Sequence, residues 1–144
     1  MSAGCELCDG PGGEDLYRDA QLRVVLVDDA RYPGFCRVIW NAHVKEMTDL
    51  PPASRSVLMQ MVMKVESAVR EALDPDKVNL ASLGNMTPHL HWHVIPRFDD
   101  DAHFPSPVWA AAQRQPDAGA LAARATRLTA LRAALARATS EQEQ

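Results

Sequence analysis

Cysteine is scarce in this 144-residue chain: there are three, an odd number, which argues against a disulfide framework. Long apolar runs are missing; none approaches the roughly 18 residues that a membrane span needs. Residues 1–13 lack the basic start and apolar stretch of a secretory signal. An excess of positive charge is missing too. Fifteen Lys+Arg face 19 Asp+Glu, a formal net charge of −4, which speaks against coating nucleic acid through bulk charge. No internal repeat, Walker loop or Mg²⁺-ligand pattern is evident. What remains has the length of one ordinary domain and is 47% hydrophobic, enough for one core. A cytoplasmic protein with neither membrane nor nucleic acid as partner is expected.

Residues 1–13 are small and Gly-rich, carry Cys5 and Cys8, and read as a loop or knuckle. Leu22–Val27 (LRVVLV) and Phe35–Trp40 (FCRVIW) read as strands, joined through Pro33-Gly34 into an antiparallel pair. Cys36 is expected to be a small buried hydrophobe. Ala53–Leu73 has helical spacing of Val57, Leu58, Met61, Val62, Val65, Ala68, Val69 and Ala72. Its Met59, Met61 and Met63 are expected to fill gaps rather than bind metal. Asp74-Pro75 ends it. Val78–Leu83 is a short strand, Gly84–Pro88 a loop, and His89–Arg97 the strongest strand. Phe98–Gln115 is irregular; Asp99, Asp100, Asp101 and His103 are expected to be solvated. Asp117–Thr139 reads as an Ala-rich helix capped by Asp117, with a stripe of Leu121, Leu128, Leu131 and Leu135 that needs a docking partner.

The most informative stretch is His89-Leu90-His91-Trp92-His93-Val94-Ile95. Alternation along a strand puts Leu90, Trp92 and Val94 in the core and the three histidines in a row on the other face. Two chemistries use such a row. Histidines two apart can bind a catalytic Zn²⁺ with an open position. Alternatively, a neutral imidazole attacks an electrophile while its neighbours donate to the oxygens. An unperturbed imidazole is largely neutral at pH 7, so it needs no strong base. The loop Gly84-Asn85-Met86-Thr87 offers amides suited to an anion, notably phosphate.

This stretch resembles the signature of the histidine triad (HIT) superfamily of nucleotide hydrolases and transferases. The resemblance runs from about Cys5 to Arg97 and includes Asp28, Pro33-Gly34, Asn41-Ala42-His43-Val44 and Thr48-Asp49-Leu50. It implies that His91 attacks an α-phosphate, forming a nucleotidyl-histidine that water or another acceptor resolves. It implies that His93 contacts the same phosphate, with His89 as the first member of the triad. Asp28, with Asp29 as the alternative, falls where the family contacts ribose. Asn79, with Ser82 as second choice, matches a polar strand residue; Gly84 and Asn85 match the phosphate loop. Where many members carry Gln-Ser or Gln-Thr, this chain has Asn85-Met86, and Met86 cannot donate to a leaving group. Thr87 stands one position late.

Cys5-Glu6-Leu7-Cys8 is a C-x₂-C pair, two thiolates on one knuckle. The resemblance implies a structural Zn²⁺ on Cys5, Cys8, His43 and His89, no cofactor for the chemistry, and a homodimer. The helix supports pairing, since Met59 and Met63 lie off its main apolar stripe. The expected architecture is an α+β domain over 1–105, an antiparallel sheet of about five strands on a helix. A C-terminal extension over 106–144 carries a helix at about 117–139. The expected activity is release of a nucleoside monophosphate from a purine phosphoramidate or dinucleoside polyphosphate. The rivals are a metal-dependent hydrolase with the His row as ligands and a non-catalytic nucleotide-binding protein.

Overall fold

The computed structural model describes residues 4–140; Met1 to Ala3 of the expected N-terminal loop and residues 141–144 of the extension lie outside the described residues. Five strands form one antiparallel sheet: β1 (Glu14–Arg18), β2 (Leu22–Leu26), β3 (Cys36–Trp40), β4 (Lys77–Ala81) and β5 (His91–Arg97). Their spatial order is β1-β2-β3-β5-β4, so the histidine strand is interior. A one-turn helix α1 (Glu6–Asp9) precedes the sheet, α2 (Pro52–Leu73) links β3 to β4, and α3 (Ala118–Ala125) and α4 (Leu128–Ser140) follow it. The expected α+β layout holds. Among the described residues no helix is long and apolar enough to cross a membrane.

Alternate residues of the strands face the helical layer, β3 and β5 packing on α2 and β1 on α4. Leu22, Val24, Cys36, Val38, Trp40 and Val94 pack with Leu58, Met61, Val62, Val65 and Val69 of the helix into the main core. Of the three helix methionines only Met61 is fully buried; Met59 is packed against the core and Met63 is exposed. Asp74 ends α2 in a left-handed conformation, φ 48°, and its N–H donates to the Arg70 carbonyl. The opposite face of the sheet carries Arg23 and Val25 on β2, Arg37 and Ile39 on β3, and His91, His93 and Ile95 on β5. There the N-terminal knuckle covers β2 and β3, packing Cys5 and Leu7 on Val25 and Ile39. Being covered on both faces leaves the first four residues of β2 buried, Arg23 among them. Arg23 pins the knuckle, donating to the carbonyls of Pro11, Leu7 and Gly10 and to Asn41 Oδ1.

Several expectations need correction. β1 was not foreseen: Glu-Asp-Leu-Tyr-Arg holds only two apolar residues because it is an edge strand. The tail is two helices, broken between Ala125 and Leu128, rather than one. Asp117 does cap α3, accepting from the Ala120 N–H at 2.9 Å. The stripe docks unequally: Leu131 and Leu135 are buried against α2, while Leu121 lines a cavity. Asp101 and His103 are buried, not solvated. Asp100 pairs with Arg124 of α3 at 2.6 Å. The segment after β5 therefore folds back onto the sheet, because Asp101 is the acceptor that Arg97 requires.

Candidate active site and metal centre

β5 begins at His91, so His89 stands just before the strand and not in a row with the other two histidines. Its ring turns toward the knuckle. Nδ1 lies 3.4 Å from Cys5 Sγ and 3.5 Å from Cys8 Sγ. Nε2–H donates to the Trp40 carbonyl at 2.6 Å. That bond leaves Nδ1 as the bare nitrogen aimed at the two sulfurs, a common outer-shell device at zinc-bound histidines. His43 joins them, its Nδ1 3.4 Å from Cys8 Sγ. The four donor atoms all lie within 4.8 Å of one another. Two thiols and two imidazole nitrogens, mostly shielded from water, suit a closed tetrahedral zinc centre. Such an ion would hold α1 to the start of β5 and leave no open coordination position for chemistry.

His91 and His93 remain on the open face of the sheet, their rings 4.9 Å apart and nearly perpendicular at 79°. The register places them beside β3: His91 opposite Ile39 and His93 opposite Arg37. His91 Nδ1–H donates to the His89 carbonyl at 2.5 Å. This fixes the tautomer and leaves Nε2 with a free lone pair. Burial lowers the His91 pKa, and the Arg37 charge lowers it further against the raising effect of the His89 carbonyl. Burial also pushes His93 down to about 4, helped by His91 and Arg37. Both rings are therefore neutral at pH 7. His93 packs edge-on to Phe35 at 5.7 Å and to Trp109 at 5.0 Å. Its Nδ1 is buried without a hydrogen-bond partner.

The loop before β5 lies at the same end of the sheet. Gly84 takes φ +75°, a turn conformation that favours glycine. Asn85 and Met86 are exposed. Ser82 Oγ donates to the His91 carbonyl at 2.9 Å, tying this loop to the strand. Asn79, opposite Ile95, accepts from Arg97 at 2.7 Å and lines a cavity of about 550 Å³ with Leu83 and Trp109. Asp28 and Asp29 lie elsewhere. They line a cavity of about 810 Å³ beneath Leu121 and Ala122 of α3, and none of the triad histidines lines it.

Two residues of the site were not singled out from the sequence. Trp109 arrives from a segment with no periodicity. Arg37 sits mid-strand in FCRVIW, and the alternation of Cys36, Val38 and Trp40 into the core was enough to put it on the histidine face.

Comparison with known proteins agrees with this geometry. A sequence model of the HIT domain matches residues 14–100. An adenylylsulfatase from Arabidopsis thaliana is 26% identical over 116 residues, covering 74% of this chain and 56% of that protein. An AP-4-A phosphorylase from Mycobacterium tuberculosis is 30% identical over 78 residues, covering 50% of this chain and 40% of that protein. The chain thus spans about half the length of these curated relatives. A histidine triad protein structure from Bradyrhizobium japonicum superposes with TM-score 0.70 at 30% identity, covering 88% of this chain and 90% of that one. A zinc-bound histidine triad family protein from Mycobacterium smegmatis gives TM-score 0.65 at 26% identity, covering 98% of this chain and 99% of that one. With the motif, the sheet and the family match in agreement, this chain belongs to the histidine triad family.

Proposed function

We propose that the protein is a nucleotide hydrolase or nucleotidyl transferase that works through a covalent nucleotidyl-His91 intermediate. The observation that carries this reading is the tautomer of His91: Nδ1–H is committed to the His89 carbonyl, so Nε2 is the free nucleophilic nitrogen. In the first step the Nε2 lone pair forms a bond to the α-phosphorus while the bond to the leaving group breaks. In the second, water attacks the same phosphorus, Nε2 departs with its electron pair, and a nucleoside monophosphate is released. His93 and the backbone of Gly84 and Asn85 meet the phosphate oxygens. Asn79, on the cavity that Trp109 shares, is the nucleoside-contacting candidate nearest the triad, and Asp28, on the separate cavity beneath α3, is the one that rests on the family resemblance alone. The substrates we assign are purine nucleoside phosphoramidates or dinucleoside polyphosphates, in keeping with the names of the adenylylsulfatase and AP-4-A phosphorylase relatives.

Zinc on Cys5, Cys8, His43 and His89 is part of this proposal as a structural ion, and the chemistry needs no other cofactor. With His89 turned to the cysteines, three histidines do not share one catalytic metal, which disfavours the metal-dependent hydrolase. A cytoplasmic homodimer completes the proposal. Three free thiols suit a reducing compartment. Leu80 on the edge strand β4, Leu83 just beyond it and Met63 of α2 are exposed apolar side chains.

The test is rapid quench of wild type and His91→Ala with labelled adenosine and guanosine phosphoramidates and dinucleoside polyphosphates. Wild type should yield an acid-labile protein-bound nucleotide and the variant none, with turnover lower by several orders of magnitude. Turnover retained in His91→Ala would remove the nucleophile. Nucleotide binding by wild type without turnover would favour the non-catalytic reading.

A further inference from the structure

Among the described residues Arg37 has no ion-pair partner; the exposed Glu6 acts on its charge only from beyond ion-pair distance. It lies on β3 directly across the ladder from His93, on the same face as His91. Among the described residues its side chain makes one hydrogen bond, from Nη1 to the Gly12 carbonyl at 3.0 Å. The Nε–H is buried and donates to no acceptor. Arg23 shows the contrast. Second in the neighbouring strand and on the same face, it uses Nε, Nη1 and Nη2 on three carbonyls of the knuckle and on Asn41 Oδ1. Arg23 is a finished structural clamp; Arg37 is held at one nitrogen only.

A partly buried guanidinium is costly unless an anion or a full set of acceptors meets it. Across the ladder it faces His93, with His91 on the same face, and these imidazoles bring no negative charge; Glu6 acts on it without pairing. Guanidinium forks bind oxyanions side-on through Nε–H and Nη2–H, and that is the edge left free. The Gly12 carbonyl holds the opposite corner. Gly12 has φ +82°, a conformation that favours glycine, and an added Cβ would come within 2.8 Å of Leu7 Cδ2 and 2.9 Å of Ile39 Cδ1, so its backbone packs closely on these side chains.

We propose that Arg37 is a substrate-binding residue, the cation that receives the phosphate oxygens of the nucleotide beside His91 and His93. The inference rests on the nucleotidyl-transfer reading of that face and adds a residue to it. Arg37 differs in kind from the neutral donors there: it binds the ground-state anion and opposes the charge that builds on phosphorus oxygens during attack.

The experiment titrates the full chain with AMP, adenosine and inorganic phosphate by calorimetry and ³¹P NMR at one pH and salt concentration. It compares wild type, Arg37→Met and Arg37→Lys, and measures turnover of adenosine phosphoramidate for each. Arg37→Met should weaken AMP binding at least about tenfold while leaving adenosine unchanged, and Arg37→Lys should restore part of the loss. Equal weakening of AMP and adenosine, or none, would overturn the inference, since a residue that merely seats the knuckle does not distinguish an anion. If Arg37→Met does not fold, Arg37→Lys carries the same comparison, because its point charge keeps attraction but loses the fork. Wild-type turnover with AMP affinity and KM unchanged in the variants would overturn Arg37 alone. Absence of wild-type turnover, with phosphate affinity still lost in Arg37→Met, would overturn the nucleotidyl reading and leave Arg37 as the anion site.

Discussion

Arg97 and Asp101 form a buried ion pair at the end of the histidine strand, Nε to Oδ2 at 2.7 Å, with the two side chains 3% and 1% exposed. Asp101 also accepts from the N–H groups of Phe98, His103 and Phe104 and from the Tyr32 hydroxyl. Burial alone would raise its pKa. The Arg97 pair and the backbone donors outweigh that and hold the carboxyl far below the usual range. Arg97 in turn donates to Asn79 and to the Ser106 carbonyl. This hub fastens the segment that brings Trp109 to His93. Asp101→Asn leaves the Arg97 charge buried and unpaired, which costs about 3–5 kcal/mol. Chemical denaturation should report a loss of that order, with a smaller loss for Arg97→Met,Asp101→Leu, where neither charge remains.

His93 makes stability pH-dependent. Its pKa is pushed down to about 4, chiefly by burial, against 6.5 when unfolded. A base with a depressed folded pKa favours the folded state while neutral. Its contribution is therefore fully present above pH 6.5 and is lost as the pH falls through 6.5 toward 4, where the unfolded chain takes up the proton first. The full loss is of the order of 3 kcal/mol. Urea titrations at pH 7, 6, 5 and 4 should show this decline in wild type and a flatter one in His93→Gln. A decline of equal slope in the variant would assign the acid sensitivity to other groups.

How far could the site be read before the fold was known? The face that His91 takes was legible, because Leu90, Trp92 and Val94 alternate with the histidines. The cysteine pair was legible as half of the cluster that it forms with His43 and His89. His89 was not: where a strand begins is set by ladder pairing, and Trp40 bonds back to Leu90 through the backbone, which swings His89 to the knuckle. β1 escaped because an edge strand answers to solvent on one side and needs few apolar residues. Asp101 was read with its neighbours as a solvated run, since composition cannot show that one of three adjacent aspartates meets a buried arginine 4 residues back. Arg37 was readable by parity and was passed over as part of a strand. The break in the tail falls at Thr126-Arg127, between two Ala-rich stretches with no proline or Gly pair to mark it, and the second of them, α4, docks on α2.

Removing the metal centre should separate stability from chemistry. Protein purified without chelator should contain about one zinc per chain by elemental analysis. Cys8→Ser removes the sulfur that approaches both His43 and His89, so the melting temperature should fall more than turnover does. A metal content near zero, with unchanged melting of Cys5→Ser,Cys8→Ser, would leave the cysteines as bystanders. A loss of turnover greater than the loss of stability would instead give the centre a direct part in positioning His91, whose Nδ1 hangs on the His89 carbonyl.

The C-terminal helix should matter for stability and not for catalysis. Leu131 and Leu135 are each about 1% exposed and sit in the main core with α2. Around them, Lys64 donates to the Ala138 carbonyl at 3.3 Å and Arg137 pairs with Glu71 at 2.6 Å. The exposed ion pair contributes little, about 0–1 kcal/mol, so the apolar contact must carry the docking. Truncating either leucine to Ala removes buried methyl groups and leaves a cavity, at about 2–5 kcal/mol each. Their side chains lie on the α2 side of the sheet, opposite His91 and His93, so turnover measured well below the melting temperature should stay within about twofold of wild type. Arg137→Ala should shift stability by less than about 1 kcal/mol. If Leu135→Ala abolished turnover while the protein stayed folded, packing of α2 would be transmitting its position through the sheet to the histidine face. The two layers would then be coupled more tightly than their separate contacts imply.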